Sequence, residues 1–484
     1  MIEDVLELDA MGQAAAIAGR EVTAEELVEA AIRRVEECNP DLNAVIHDRF
    51  DSARAEARTP SSGVFAGVPF LIKDLIAHSA GDPFHEGVAG IRALGFRETT
   101  NTALVNDFRA AGLIDVGRTN TSELGLLPTT EPVSYGPTRN PWDVERSPLG
   151  SGGGSAAAVA ARAVAMAHSN DGGGSIRLPA SACGLVGLKP SRGRVSLGPD
   201  FGDVVNGTVV EFAVTRSVRD TAALLDAVAT TDFVGEPYAP PHAGRAYSNV
   251  VSTAAATSDP LTLRVGVMTA SPGNRLPVHP DCSAAATLVG RVLEQLGCEV
   301  DTSYPPALDE EELGQRGATI MPFAFAAFGL DWWERRTGHR LTGDEVEPWT
   351  WTCAERGRST TAPRYLAAVE WIQSWSRRVA RWWADGRDLL ITPTLPEPPP
   401  LLGGFPQNNG GVGAGIRSAE IVSYTYPFNM TGQPAISLPL HWNDAGLPIG
   451  VQLVAPLGRE DVLLRVAARL EIAMPWSERR APRS

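Results

Sequence analysis

Short apolar runs, each bounded by Pro or Gly, recur along this chain and alternate with longer stretches of helical periodicity. GVFAGVPFLIKDL (Gly63–Leu75), LIDVGRTNT, LRVGVM (Leu263–Met268), DLLITPT (Asp388–Thr394), PAISLPL and IGVQLVA read as buried strands. Between them, Thr102–Ala111 and Asp281–Leu296 read as helices. Thr23-Ala24-Glu25-Glu26 is a capping box, opening a helix that Asn39-Pro40 is expected to stop. Strands interleaved with helices over the whole length predict one large α/β domain spanning 1–484. Gly235–Pro260, rich in Pro, Ala and Ser, reads as a surface excursion. Eight of the eleven tryptophans fall between 331 and 383, and Trp371, Trp375 and Trp382 share a helical face, which predicts core packing.

Composition narrows the function. The formal net charge of −15 over 484 residues argues against a nucleic-acid partner, which calls for a basic face. No apolar run reaches the ~18–20 residues of a membrane span. Five scattered cysteines, odd in number and without a CxxC pair, fit a reducing compartment rather than a disulfide framework. The acidic start, MIEDVLELDA, lacks the features of a secretory signal, so a cytoplasmic location is expected. Of 42 basic residues, all but Lys73 and Lys189 are arginine. A buried lysine can shed its proton and arginine cannot, so the two survivors are candidates for chemistry.

From Arg139 to Ser196 the chain turns to Gly, Ser and Ala. GSGGGSAAA (Gly150–Ala158), with Asp171 about 20 residues on, invites a dinucleotide-binding reading. That reading fails, because Ser155 replaces the third glycine and two prolines interrupt the preceding segment. Ser155 instead reads as the cap of a helix over Ala156–Ala167. No P-loop, HExxH, zinc spacing or GxSxG is present, and the eight histidines are scattered, leaving a histidine-based triad only to spatial assembly. NDGGGSIRLPASACG says more. Three glycines before Ser175 can turn backbone N–H groups inward, as a developing oxyanion requires, although an exposed serine in a tight turn fits this segment too. A serine nucleophile needs a base, and Lys73 sits among Val68, Phe70, Leu71, Ile72 and Leu75, an apolar setting that lowers a lysine pKa. Ser151 could relay the proton between them.

The constellation strongly resembles the amidase signature family of Ser–cis-Ser–Lys hydrolases. The resemblance lies in GVPFLIKDL, YGPTRNPWD, SGGGSAAAVAA, DGGGSIRLPASACGLVGLKPSRGRVS, GQPAISLPL and GLPIGVQLVA, which together span nearly the whole chain. TGHRLTGDEVE and RWWADGRDLLITPT look closest to bacterial amidases similar to 6-aminohexanoate-cyclic-dimer hydrolase. The resemblance implies an α/β/α sandwich around a large mixed β-sheet, with a signature core over 63–225 and a variable, Trp-rich pocket region over 305–385. It implies Ser175 as nucleophile, Ser151 as relay after a cis peptide, and Lys73 as base. Backbone N–H groups of Gly172, Gly173, Gly174 and Ser175 would form the oxyanion hole, with Asp171 and Arg177 bracing the glycine loops and Lys189 structural. Leu126, Met321 and Phe325 are the pocket candidates. The implied function is amide hydrolysis on a small-molecule amide, without metal or organic cofactor, with a homodimer as the assembly to test. Two alternatives stand beside it: a glutamine-hydrolysing amidotransferase subunit and a non-catalytic binding protein. Two positions depart from the family: its usual serine pair is Ser151-Gly152 here, and its common Thr before the GGS motif is Gly172.

Overall fold

The computed structural model describes residues 2–59, 62–229, 235–239, 244–311 and 320–482. Eleven strands form one sheet: β1 (Val45–Asp48), β2 (Pro69–Lys73), β3 (Ile114–Thr119), β4 (Met166–Asp171), β5 (Val186–Lys189), β6 (Val210–Thr215), β7 (Arg264–Val267), β8 (Glu299–Asp301), β9 (Leu389–Pro393), β10 (Ala435–Trp442) and β11 (Pro448–Val454). Their order is β1-β3-β2-β4-β6-β5-β10-β11-β9-β7-β8. The sheet is mixed. Parallel pairs β3/β2/β4 and β9/β7/β8 flank a central antiparallel block. Strands β2, β4, β6 and β11 are buried at every position and β10 at all but its last two, as expected when helices cover both faces. This is the α/β/α architecture the sequence predicts.

β2 and β4 are parallel neighbours, with Leu71 opposite Ala167, so their C-terminal ends open on the same edge of the sheet. Lys73 ends β2 and Asp171 ends β4. Open α/β sheets bind ligands at such carboxyl edges.

Several local expectations change. The capping box at Thr23 is present, but its helix runs through Pro40 to Leu42 and ends on Asn43 in the left-handed region. A proline in the last turn does not break the helix when a left-handed cap follows. Ser155 is not a cap: the helix is Gly153–Ala160, and β4 already starts at Met166. The Ser155 hydroxyl donates instead to His168 O at 2.6 Å and pairs with Thr119 Oγ1 at 2.7 Å, tying the helix to β4 and β3. Within Gly235–Pro260, Tyr247–Ala256 is a helix with Tyr247, Val251 and Ala254 buried. Trp375 and Trp382 are core residues of helix Ala362–Ala384, and Trp371 packs beside them. No helix among the described residues is long and apolar enough to cross a membrane.

Candidate active site

Lys73 is fully buried at the end of β2. Its Nζ lies 2.7 Å from Ser151 Oγ and donates to Asn170 Oδ1 at 2.5 Å. Burial pulls the amine down to about 7, although Glu211, Asp171 and Glu86 pull the other way. A neutral amine can donate to Asn170 while accepting from the Ser151 hydroxyl. Asn170 is itself fixed, its Nδ2 donating to Leu75 O at 3.0 Å. Lys189, the other lysine, is equally buried and donates to Pro190 O at 3.0 Å. Burial, with Arg177 nearby, drives its pKa well below the ordinary range.

The two glycine loops meet at Ser175. The Gly150–Ser151 peptide is cis. Gly152 N–H and Ser169 Oγ both donate to Ser175 O, each at 3.2 Å. A Cβ on Gly152 would fall 2.1 Å from Ser169 Oγ, so the family's second serine has no room here. Ser169, from β4, supplies the hydrogen bond to this loop. At Gly172 a Cβ would meet Val209 at 3.0 Å, so a valine crowds the place of the family's Thr. Gly174, at φ +139°, needs to be glycine, and Thr425 Oγ1 donates to Gly173 O at 2.6 Å.

Asp171 and Arg177 brace these loops from beneath. The guanidinium donates to Asp171 through Nε and Nη2, both at 2.9 Å, and reaches Thr425 O, Gln452 Oε1 and Asn429 Oδ1. Asn429 Nδ2 returns to Asp171 Oδ1 at 2.8 Å. Burial opposes ionisation of Asp171, but the charge and hydrogen bonds of Arg177 outweigh it and hold the carboxyl at about 2.

Ser151, Ser175, Asn170, Gly172 and Gly173 line one cavity of about 290 Å³, and the rest of its wall is mostly Leu, Val, Pro and aromatic. Leu126 and Phe325 line it as expected. Met321 does not: it lies one residue before Pro322 and Phe323, which do line the cavity, and is buried in the apolar cluster around Trp375 and Leu390. Of the tryptophans only Trp349 reaches the wall, and helix Val412–Ile421 adds residues the sequence reading left out. Among the described residues no histidine or charged side chain lines the cavity. His168, the histidine nearest Lys73 in the sheet, accepts the Lys73 backbone N–H at 3.2 Å and bonds Glu211 through Nε2. Among the described residues no histidine triad forms at this cavity. His47, Asp74 and His85 bring ligand atoms within 4.8 Å of one another, on the flank of β2. Tyr135 Oη already bridges the two imidazoles, and burial above all lowers the pKa of both rings to about 4, so both are neutral.

Sequence reading missed Asn170 and Ser169. Their signal is strand alternation: if Asp171 faces the Arg177 network, Asn170 must face the other way, toward Lys73.

The profile of the Amidase family matches residues 26–464. Over 480 residues the chain is 42% identical to 6-aminohexanoate-cyclic-dimer hydrolase of Paenarthrobacter ureafaciens, covering 98% of this chain and 96% of that protein. It is 34% identical over 496 residues to the putative amidase AmiC of Mycobacterium tuberculosis (strain ATCC 25618 / H37Rv), covering 99% and 98%. A structure of 6-aminohexanoate cyclic dimer hydrolase complexed with substrate superposes with a TM-score of 0.94 at 41% identity, covering 98% of this chain and 99% of that one. With the glycine loops, the buried lysine and the cis peptide found together, these likenesses show that the chain belongs to the amidase signature family and is an amide hydrolase.

Proposed function

We propose that this chain cleaves uncharged carboxylic amides through an acyl-enzyme on Ser175. Neutral Lys73 accepts the proton of Ser151 Oγ, which takes that of Ser175 Oγ as the latter attacks the carbonyl carbon. The carbonyl oxygen, now an anion, is held by backbone N–H groups of Gly172, Gly173, Gly174 and Ser175. Collapse breaks the C–N bond, and the proton returns from Lys73 through Ser151 to the departing amine. Water then attacks the acyl-enzyme by the same route, releasing the acid and restoring Ser175. The observation that carries this reading is the 2.7 Å contact between Lys73 Nζ and Ser151 Oγ in a water-excluded setting beside the Ser175 cavity.

The apolar wall supports apolar or aryl amides and cyclic ω-amino-acid oligomers as substrates. Aryl esters and carbamates present the same carbonyl with easier leaving groups. Among the described residues a zwitterionic amino acid would meet no counter-charge on the wall, which weighs against the glutamine-hydrolysing alternative. Continuity of the sheet supports one catalytic domain over 1–484, and five free thiols support a reducing, cytoplasmic setting. A fluorophosphonate probe should label wild type and not Ser175→Ala. A panel of anilides, cyclic ω-amino-acid oligomers, carbamates and glutamine should then be hydrolysed in every class but the last. Labelling that survives Ser175→Ala, or a preference for glutamine over every anilide in kcat/KM, would contradict the proposal.

A further inference from the structure

The cavity wall carries five hydroxyls, and four of them have a role or are out of reach. Ser151 is bonded to Lys73, and Ser175 is the proposed nucleophile. Thr208 Oγ1 donates to Val205 O at 3.0 Å. Ser418 Oγ is sealed from even a water-sized molecule. Tyr426 is the fifth. Its Oη has no hydrogen-bond partner among the described residues, yet it is not one of the sealed atoms. Burial pushes the phenol well above its usual value, so it stays protonated and able to donate at any working pH. By contrast Tyr424, two residues earlier, donates to Thr269 O and is fully buried.

The backbone that carries the phenol is pinned. Tyr426 N–H donates to Val422 O at 2.9 Å. The preceding Thr425 is bonded to Gly173 through its hydroxyl and to Arg177 through its carbonyl. A Cβ on Gly173 would lie 3.7 Å from Tyr426 Cδ2, so the ring borders the glycine loop itself. A donor whose ring borders the glycine loop and whose backbone is pinned loses little freedom when it binds, which is the condition for a strong orienting contact.

We propose that Tyr426 Oη is a specificity-determining group that hydrogen-bonds a second amide of the substrate, so that the chain selects uncharged diamides over mono-amides of equal length. The proposal rests on the Ser175 acyl-enzyme reading above. A hydrocarbon substrate filling the cavity displaces water from Oη and gives it no partner, whereas a second amide pairs it. Sites built around such a hydroxyl discriminate strongly against analogues that cannot pair it. A wall without charge among the described residues and a neutral phenol together favour an amide over an ammonium or a carboxylate at this point.

Two matched pairs of 4-nitroanilides test it, each a diamide and its chain-length hydrocarbon counterpart, one with the second amide in the acyl half and one with it in the amine half. In at least one pair, wild type should prefer the diamide by tenfold or more in kcat/KM. Tyr426→Phe should bring that preference within about threefold, mainly through KM. Binding of the same compounds to Ser175→Ala and to Ser175→Ala/Tyr426→Phe, by calorimetry, should show the same selectivity and its loss. Those binding arms keep the test separate from the chemistry. If Ser175 is not the nucleophile, turnover contradicts the earlier reading while binding still reports on Tyr426. Equal affinity of diamide and hydrocarbon in both pairs, or a preference that survives Tyr426→Phe, overturns the proposal.

Discussion

Lysine stands at only two positions in this chain, and at both the side chain is fully buried and burial lowers its pKa. That explains why arginine, used everywhere else, is not used there. Lys73→Arg should cost a hundredfold or more in kcat, the scale of a lost general base. Lys73→Met should be as inactive while avoiding a buried charge, so a melting curve on both separates chemistry from folding. Activity of either within about tenfold of wild type would remove Lys73 as the base. The acid limb of kcat/KM should rise through about 7, because Lys73 accepts a proton only when neutral. Asn170→Asp places a negative charge 2.5 Å-close to Nζ in the same frame. It favours the protonated lysine and should move that limb upward by about one pH unit. Lys189→Arg is a poor control, since it would bring a fixed charge beside Arg177, and Lys189→Met is the better one.

The loop after Ser151 and strand β4 share one small space, and the two have divided it differently from the family's usual pattern. Gly152→Ser should destabilise by about 1–3 kcal/mol, because its Cβ strikes Ser169 Oγ and crowds Ser175 O. Removing the hydroxyl in Gly152→Ser/Ser169→Ala should recover part of that loss. Urea melts of the two single variants and the double check it, and strictly additive losses would mean the two positions do not compete. Much at this scale was legible in sequence. Strand positions followed from short apolar runs with Pro and Gly at their ends, and Lys73, Ser151, Ser175, Asp171 and Arg177 converge as the motifs implied. What stayed hidden depends on neighbours remote in sequence. Ser155 looks like a cap until His168 O and Thr119 arrive to bond it. Met321 and Phe323 look equivalent until the core around Trp375 takes the first and the cavity takes the second. Ser169 reaches Ser175 O from β4, a partner that the motif around Ser151 does not reveal.

Across the whole molecule, burying two lysines as neutral amines sets a cost that depends on pH. For Lys73, the folded state releases the proton above about 7, while the unfolded chain keeps it until ~10.4. Between those values the unfolded state binds one proton more, so stability should climb with pH, and below 7 this contribution is flat. Asp171 works at the other end: its contribution is complete above about 4 and is lost as pH falls through about 2. Denaturant melts from pH 7 to 10 should show the rise, and Lys73→Met should reduce it, the remainder belonging to Lys189. The same scarcity of lysine permits a direct reading of the central claim, that Lys73 is neutral at working pH. Labelling the protein with lysine carrying ¹³C at Cε yields two signals, assigned by Lys73→Met and Lys189→Met, and each can be titrated by NMR. The Lys73 signal should report a pKa near about 7. A Lys73 that titrates close to ~10.4, like a solvated lysine, would contradict the account.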